Sequence, residues 1–181
     1  MLYMVECSFN DPAREADWNR YYSGPKLDSV LAVPGFCTSQ RFRAMDELAS
    51  PYLAIHTVKS PQVLAGTNYK SGGGGNFGEW QSFISEWKRN LFDGCDEAPA
   101  VALDQRVLLS DRPSTQLDTR ALPILRLVAV GLDMSTPERV IAVVSIAHAA
   151  EVAAEQPGAF RVYAPMMERR SELPGKPAIV L

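Results

Sequence analysis

The stretch from Asn10 to Phe42, NDPAREADWNRYYSGPKLDSVLAVPGFCTSQRF, constrains this chain most. It dictates, in order, a helix, a break, a second helical piece, a turn and a strand. Asn10 or Asp11 can cap the first helix, and Pro12 suits its first position, where the missing N–H would have no partner. Trp18 and Tyr22 stand one turn apart on one face, with Tyr21 beside them. Gly24-Pro25 interrupts the helix because proline lacks an N–H and crowds the preceding turn, and Lys26 and Asp28 follow at the break. Val33-Pro34-Gly35 is a turn signal, and Phe36 opens an alternating run that suits a strand.

The pattern W-N-x-Y-Y-x-x-x-K-L-x-x-V-L-A-V-P-G-F, from Trp18 to Phe36, resembles the EthD-like members of the dimeric α/β-barrel superfamily, a group that includes stress-responsive proteins. The resemblance extends over roughly the first 110 residues. It implies an α+β fold, with a ferredoxin-like βαββαβ unit whose sheet pairs with a second copy into a barrel, hence a homodimer. One departure matters: relatives often carry a histidine four residues after the tyrosine, and here Lys26 follows Tyr22. A role attributed to that histidine does not carry over.

Leu2–Phe9 reads as the first strand. Tyr3, Val5, Cys7 and Phe9 form an apolar face that belongs under helices, while Leu2, Met4, Glu6 and Ser8 form a mixed face toward the barrel. Glu6 is then either a pocket group or a solvated residue at a strand edge. Gly35–Arg43 gives the second strand and Pro51–Val58 the third, where His56 shares a face with Tyr52 across small Ala54. Ser60-Pro61 can start a helical turn, and the glycines from Gly72 to Gly75 read as a loop. Trp80, Phe83, Ile84, Trp87 and Leu91 recur at helical spacing, which predicts a second helix over Gly78–Phe92. Val101–Leu109 then completes βαββαβ.

Three segments follow from this order: a ferredoxin-like domain over 1–112, a linker over 113–124, and a C-terminal α/β extension over 125–181. Strands are expected at Leu125–Asp133 and Ala159–Met166. Between them, Val140–Glu155 is one helix, or a β-branched strand followed by a helix that Ser145 caps; β-propensity favours the second. The similar spacing from Tyr3 to Pro34 and from Leu125 to Pro157 hints at a degenerate second repeat. That repeat would cover the open sheet face within one chain, as an alternative to the homodimer. Pro174–Pro177 reads as loop and Ala178–Leu181 as a terminal strand.

The 181 residues carry a net charge of -3 without strong basic clustering, which argues against nucleic-acid binding. Three cysteines without CxxC spacing indicate neither a disulfide framework nor a zinc site. No signal-peptide pattern opens the chain and no apolar run is long enough to span a bilayer, so a cytoplasmic protein without membrane contact is expected. His56 and His148 are the only histidines, and neither metal nor cofactor is called for.

The expected site is a cofactor-independent one inside the barrel. Its catalytic candidates are His56, Lys26 and Tyr22; its substrate-binding candidates are Glu6, Trp18, Tyr52 and Arg41, with parity leaving open whether Gln40 or Arg41 points inward. A neutral histidine can take a proton α to a carbonyl and a lysine can hold the resulting enolate. A lysine buried beside Trp18 and Tyr22 could also form a Schiff base. The superfamily resemblance implies a catabolic small-molecule isomerase, lyase or decarboxylase, or a cofactor-free monooxygenase. A non-catalytic binder of a hydrophobic metabolite is the reading from another class.

Overall fold

Strands whose two faces differ in polarity must bury both in different places, and this chain does so by curling its sheet into a tube. The computed structural model describes residues 1–48, 50–72, 74–119 and 122–171. Its strands are β1 (Leu2–Phe9), β2 (Phe36–Ala44), β3 (Tyr52–Val58), β4 (Ile84–Asp93), β5 (Gln105–Ser110), β6 (Ile124–Leu132), β7 (Glu138–Ser145), β8 (Arg161–Pro165) and the short β9 (Arg170–Ser171). Eight of them run β3-β1-β4-β6-β7-β5-β8-β2, all antiparallel, and pairing of β2 with β3 closes the ring; β9 adds to β2. The first four strands lie in the order β2-β3-β1-β4, the next four in the equivalent order β6-β7-β5-β8. Each set's fourth strand pairs with the other set's second strand, β4 with β6 and β8 with β2. The sheet is thus closed by the chain's own second half.

Helices cover parts of the outside. The connection from β1 to β2 carries α1 (Glu15–Tyr21), a π-turn (Tyr22–Lys26) and α2 (Leu27–Leu31). Two short helices, α3 (Pro61–Ala65) and α4 (Thr67–Ser71), follow β3, and α5 (Ile146–Glu155) follows β7. Tyr3, Val5, Cys7 and Phe9 pack against α1 and α2 through Trp18, Tyr22, Leu27 and Val30, as the strand's parity predicts. The inside of the barrel is filled by Leu2, Met4, Phe42, Leu53, Ile55, Phe92, Leu109, Leu127, Ile141 and Tyr163. This barrel is a packed core and not a hollow, as an eight-stranded tube filled by its own side chains should be.

Several sequence expectations change. Gly24-Pro25 does not break the helix: the π-turn absorbs the missing N–H of Pro25 and the chain stays helical into α2. The helix expected over Gly78–Phe92 is a 3-10 turn, Gly78–Phe83, followed by β4. A spacing of four, as from Trp87 to Leu91, fits one face of a strand as well as one face of a helix, and two flanking partners, β1 and β6, decide for the strand. β4 therefore completes the first set of four, and β5 pairs with β7 and β8 instead. Pro157 precedes β8, the fourth strand of its set, whereas Pro34 precedes the second strand of its own, so the spacing comparison matched unlike positions. Residues 67–71, just before the glycine loop, form α4, which was not expected. The strand-then-helix alternative over 138–155 is the one observed, with Ser145 Oγ accepting from His148 N at 3.2 Å. Pro174–Pro177 and Ala178–Leu181 lie outside the described residues. Among the described residues no helix is long and apolar enough to cross a membrane.

Candidate functional site

Antiparallel register decides where His56 points. Tyr3 of β1 lies opposite His56 of β3, so the two share a face, and Tyr3's face is the one under the helices. The imidazole therefore faces α1 and α2, not the barrel interior expected from the sequence. It stacks on the Tyr3 ring at 5.3 Å and meets the edge of Phe36 at 5.7 Å. Ser39, its partner in β2, holds Nδ1 at 2.8 Å from Oγ.

Three further segments complete the enclosure. The π-turn brings in Tyr22 and Lys26, both nearly buried. Tyr69 of α4 places its hydroxyl 2.9 Å from that of Tyr3. Phe77 and Trp87 close the remaining side, and the Lys26 ammonium donates to Asn76 O while lying 5.2 Å from the centre of the Phe77 ring. The enclosed space is about 20 Å³, room for one water. Among the described residues no carboxylate lines it. Trp87 Nε1 is buried without a hydrogen-bond partner.

Burial sets the protonation states. The His56 imidazole is pushed down to about 3, first by loss of water and second by the nearby Lys26 charge, so it is neutral at neutral pH. Burial lowers the Lys26 ammonium to about 8, leaving a minor but real fraction of free amine near neutrality. Tyr3 and Tyr22 are raised, chiefly by burial, and stay protonated. The pocket thus holds one adjustable base, Lys26, one neutral proton carrier, His56, and several phenol and indole donors among flat aromatic walls.

The expected substrate-binding residues lie elsewhere. Glu6 faces the barrel interior, where its carboxylate accepts from Arg139 Nη2 at 2.9 Å and Arg161 Nη1 at 3.0 Å. Asp111 accepts from Arg139 Nε at 2.7 Å and also from Arg161, which makes a closed ring of two acids and two bases. That ring gives the buried Glu6 two guanidinium partners, and it separates Glu6 from the His56 pocket. Trp18, Tyr52 and Arg41 share the helix side with the pocket but do not line it; they form a packed group behind Tyr22. Gln40 is the residue of its pair that points inward, donating to Val101 O at 2.7 Å and Met167 O at 2.9 Å. His148 sits in the first turn of α5, away from the pocket.

Tyr3, Ser39, Tyr69 and Trp87 were not singled out from the sequence as site residues. The β1–β3 register would have found Tyr3 and the β2–β3 hairpin register Ser39; Trp87 was hidden by its assignment to a helix. Among the described residues no group of three His, Cys, Asp or Glu side chains is arranged to hold a metal ion.

No family model matches the sequence and no curated protein is recognisably similar to it. Solved structures of similar shape include the following two. An anthrone oxidase-like protein superposes with a TM-score of 0.63 at 12% identity, covering 99% of this chain and 96% of its own. A protein of Lactobacillus acidophilus NCFM that carries the provisional name monooxygenase superposes with a TM-score of 0.50 at 10% identity, covering 92% of this chain and 94% of its own. At such identities the likeness is one of fold.

Proposed function

We propose, from a chain with the ferredoxin-like fold of the EthD-like dimeric α/β-barrel superfamily, that the helix-side pocket oxidises a planar, oxygen-bearing aromatic compound with dioxygen and without a bound cofactor. The observation that carries this reading is the convergence of Lys26 and His56 among aromatic rings. The names of the two similar folds, an oxidase-like protein and a monooxygenase, agree in reaction class. Lys26, as free amine, takes a proton from an activated C–H or phenolic O–H of the substrate. The ammonium so formed then holds the substrate anion, and Trp87 Nε1 donates to its oxygen. The electron-rich anion gives one electron to dioxygen, and the two radicals combine in a C–O bond as a peroxide. Loss of water leaves the carbonyl: one CH₂ and one O₂ become one C=O and one H₂O. His56, neutral and fixed by Ser39, relays the proton that the peroxide needs to break.

The isomerase or lyase chemistry expected from the sequence shares the first step, proton removal to an anion, and differs in what the anion does next. A substrate is much larger than the present void, so it enters only as the chain around Asn76 and Phe77 draws back from Lys26.

Oxygen uptake with an anthrone tests the reading. Wild type should consume one O₂ per carbonyl formed, with a rate that rises with pH through a midpoint of about 8. Lys26→Met should lose roughly 100-fold or more of that rate, the typical contribution of a general base, and His56→Ala should lose less. Tight binding of the same aromatics with no uptake and no product would replace this reading by the binding-protein one, which the closed pocket also favours.

A further inference from the structure

Pro25 leaves the helix one donor short just where Tyr22 and Lys26 must enter the pocket, and a π-turn alone is a poor support for either. The chain supplies a brace from the strand beneath. Arg41 of β2 is fully buried, and its guanidinium donates through Nη1 to Asn19 O at 3.1 Å and Ser23 Oγ at 2.8 Å, and through Nη2 to Asn19 Oδ1 at 2.8 Å. Its plane lies 4.1 Å from the centre of the Tyr22 ring and 5.0 Å from that of Trp18. None of the acceptors is a carboxylate. A buried cation held only by neutral groups and ring faces is costly, and one retained for stability alone would do better as an apolar residue. Ser23 is gripped a second time, its carbonyl accepting from Arg170 at 3.2 Å.

We propose that Arg41 is a positioning residue: its fork ties Asn19 and Ser23, on either side of Tyr22, to the barrel and so fixes where Lys26 meets the site. This rests on the reading of Lys26 as the base. Arg41 itself touches neither the pocket nor a substrate within it. The planar fork matters more than the charge, since one guanidinium reaches three acceptors in two residues and an ammonium on a flexible stem cannot hold all three.

The titration of Lys26 tests the brace independently of turnover. Competitive labelling of lysines with acetic anhydride, read by peptide mass spectrometry across pH, should give Lys26 a midpoint near 8 in wild type. In Arg41→Met the midpoint should climb by about one pH unit or more toward the ordinary lysine value, a tenfold loss of free amine at a given pH, as the loosened turn lets water reach the ammonium. The turnover number should fall with it while KM stays nearly constant. Arg41→Lys should behave like Arg41→Met; a midpoint and rate equal to wild type in Arg41→Lys would mean that charge, not the fork, is what counts, and would overturn the proposal. Should Arg41→Met fail to fold, Ser23→Ala and Asn19→Ala each remove one acceptor from a folded chain, and an unchanged midpoint in both would overturn it equally. Failure of the Lys26 reading looks different: Lys26→Met would keep its activity whatever Arg41 does.

Discussion

His56 shows how a residue that looks catalytic also carries a cost in acid. Its ordinary pKa of 6.5 falls to about 3 in the folded chain because the buried site cannot solvate an imidazolium. Between these values the unfolded chain binds the extra proton and the folded one does not, so stability rises with pH across that window and is lost as pH falls through it. Each unit of pH below 6.5 should cost up to about 1.4 kcal/mol from this group. His56→Asn keeps a partner for Ser39 and abolishes the titration. Its stability, from urea unfolding at a series of pH values, should be about 1 kcal/mol lower at neutral pH and visibly flatter toward acid. An equally steep acid slope in the variant would show that His56 is not the group responsible. Lys26 has the same sign in a higher window: between about 8 and its ordinary 10.5 the unfolded chain again holds more protons, so stability gains there as pH rises.

At the scale of elements, β4 and its end decide the architecture. The strand is flanked by β1 and β6, and the φ of +108° at Gly94, just past its end, lies in the left-handed region that glycine favours. A Cβ there would stand 2.3 Å from Arg126 O of β6. Gly94→Ala should therefore force the β4–β6 seam apart and destabilise the protein by roughly 2 kcal/mol or more, read as a lower urea midpoint, without moving Lys26 or His56. A change below about 0.5 kcal/mol would mean that the seam bends at no cost. The same element was the least legible in the sequence. Phe83, Trp87 and Leu91, each four apart, obey a helical period and also a strand period, and only the presence of two partner strands resolves which applies.

For the molecule as a whole, closure of the barrel within one chain changes what a partner is needed for. The homodimer expected from the superfamily would complete an open sheet, and here β6 and β8 pair with β4 and β2 in that place. We therefore expect a single chain by light scattering after size exclusion, with one cooperative urea transition. A fragment ending at residue 112 would leave β4 and β2 without those partners and bare the apolar barrel interior of Leu2, Met4, Phe42 and Ile55. It should aggregate or pair with itself. A soluble, monomeric, folded fragment would show that the first half is independent of the second.

Local chemistry was readable in the residues themselves. The parity of Leu2–Phe9, the turn at Val33–Phe36 and the β-branched run ending at Ser145 are set by neighbours a few positions away, so β1, a helical segment after it, β2 and the β7–α5 junction were visible in advance, although α1 starts at Glu15 without the side-chain cap expected of Asn10 or Asp11. Which strands meet is a matter of contacts between distant parts of the chain, and no short-range period records it. The β1–β3 register turned His56 away from the barrel, the β4–β6 and β2–β8 seams closed the tube, and burial under the helical segments outside it lowered the pKa values of Lys26 and His56. Tertiary packing alone could decide these, because each depends on which surfaces lose their water together.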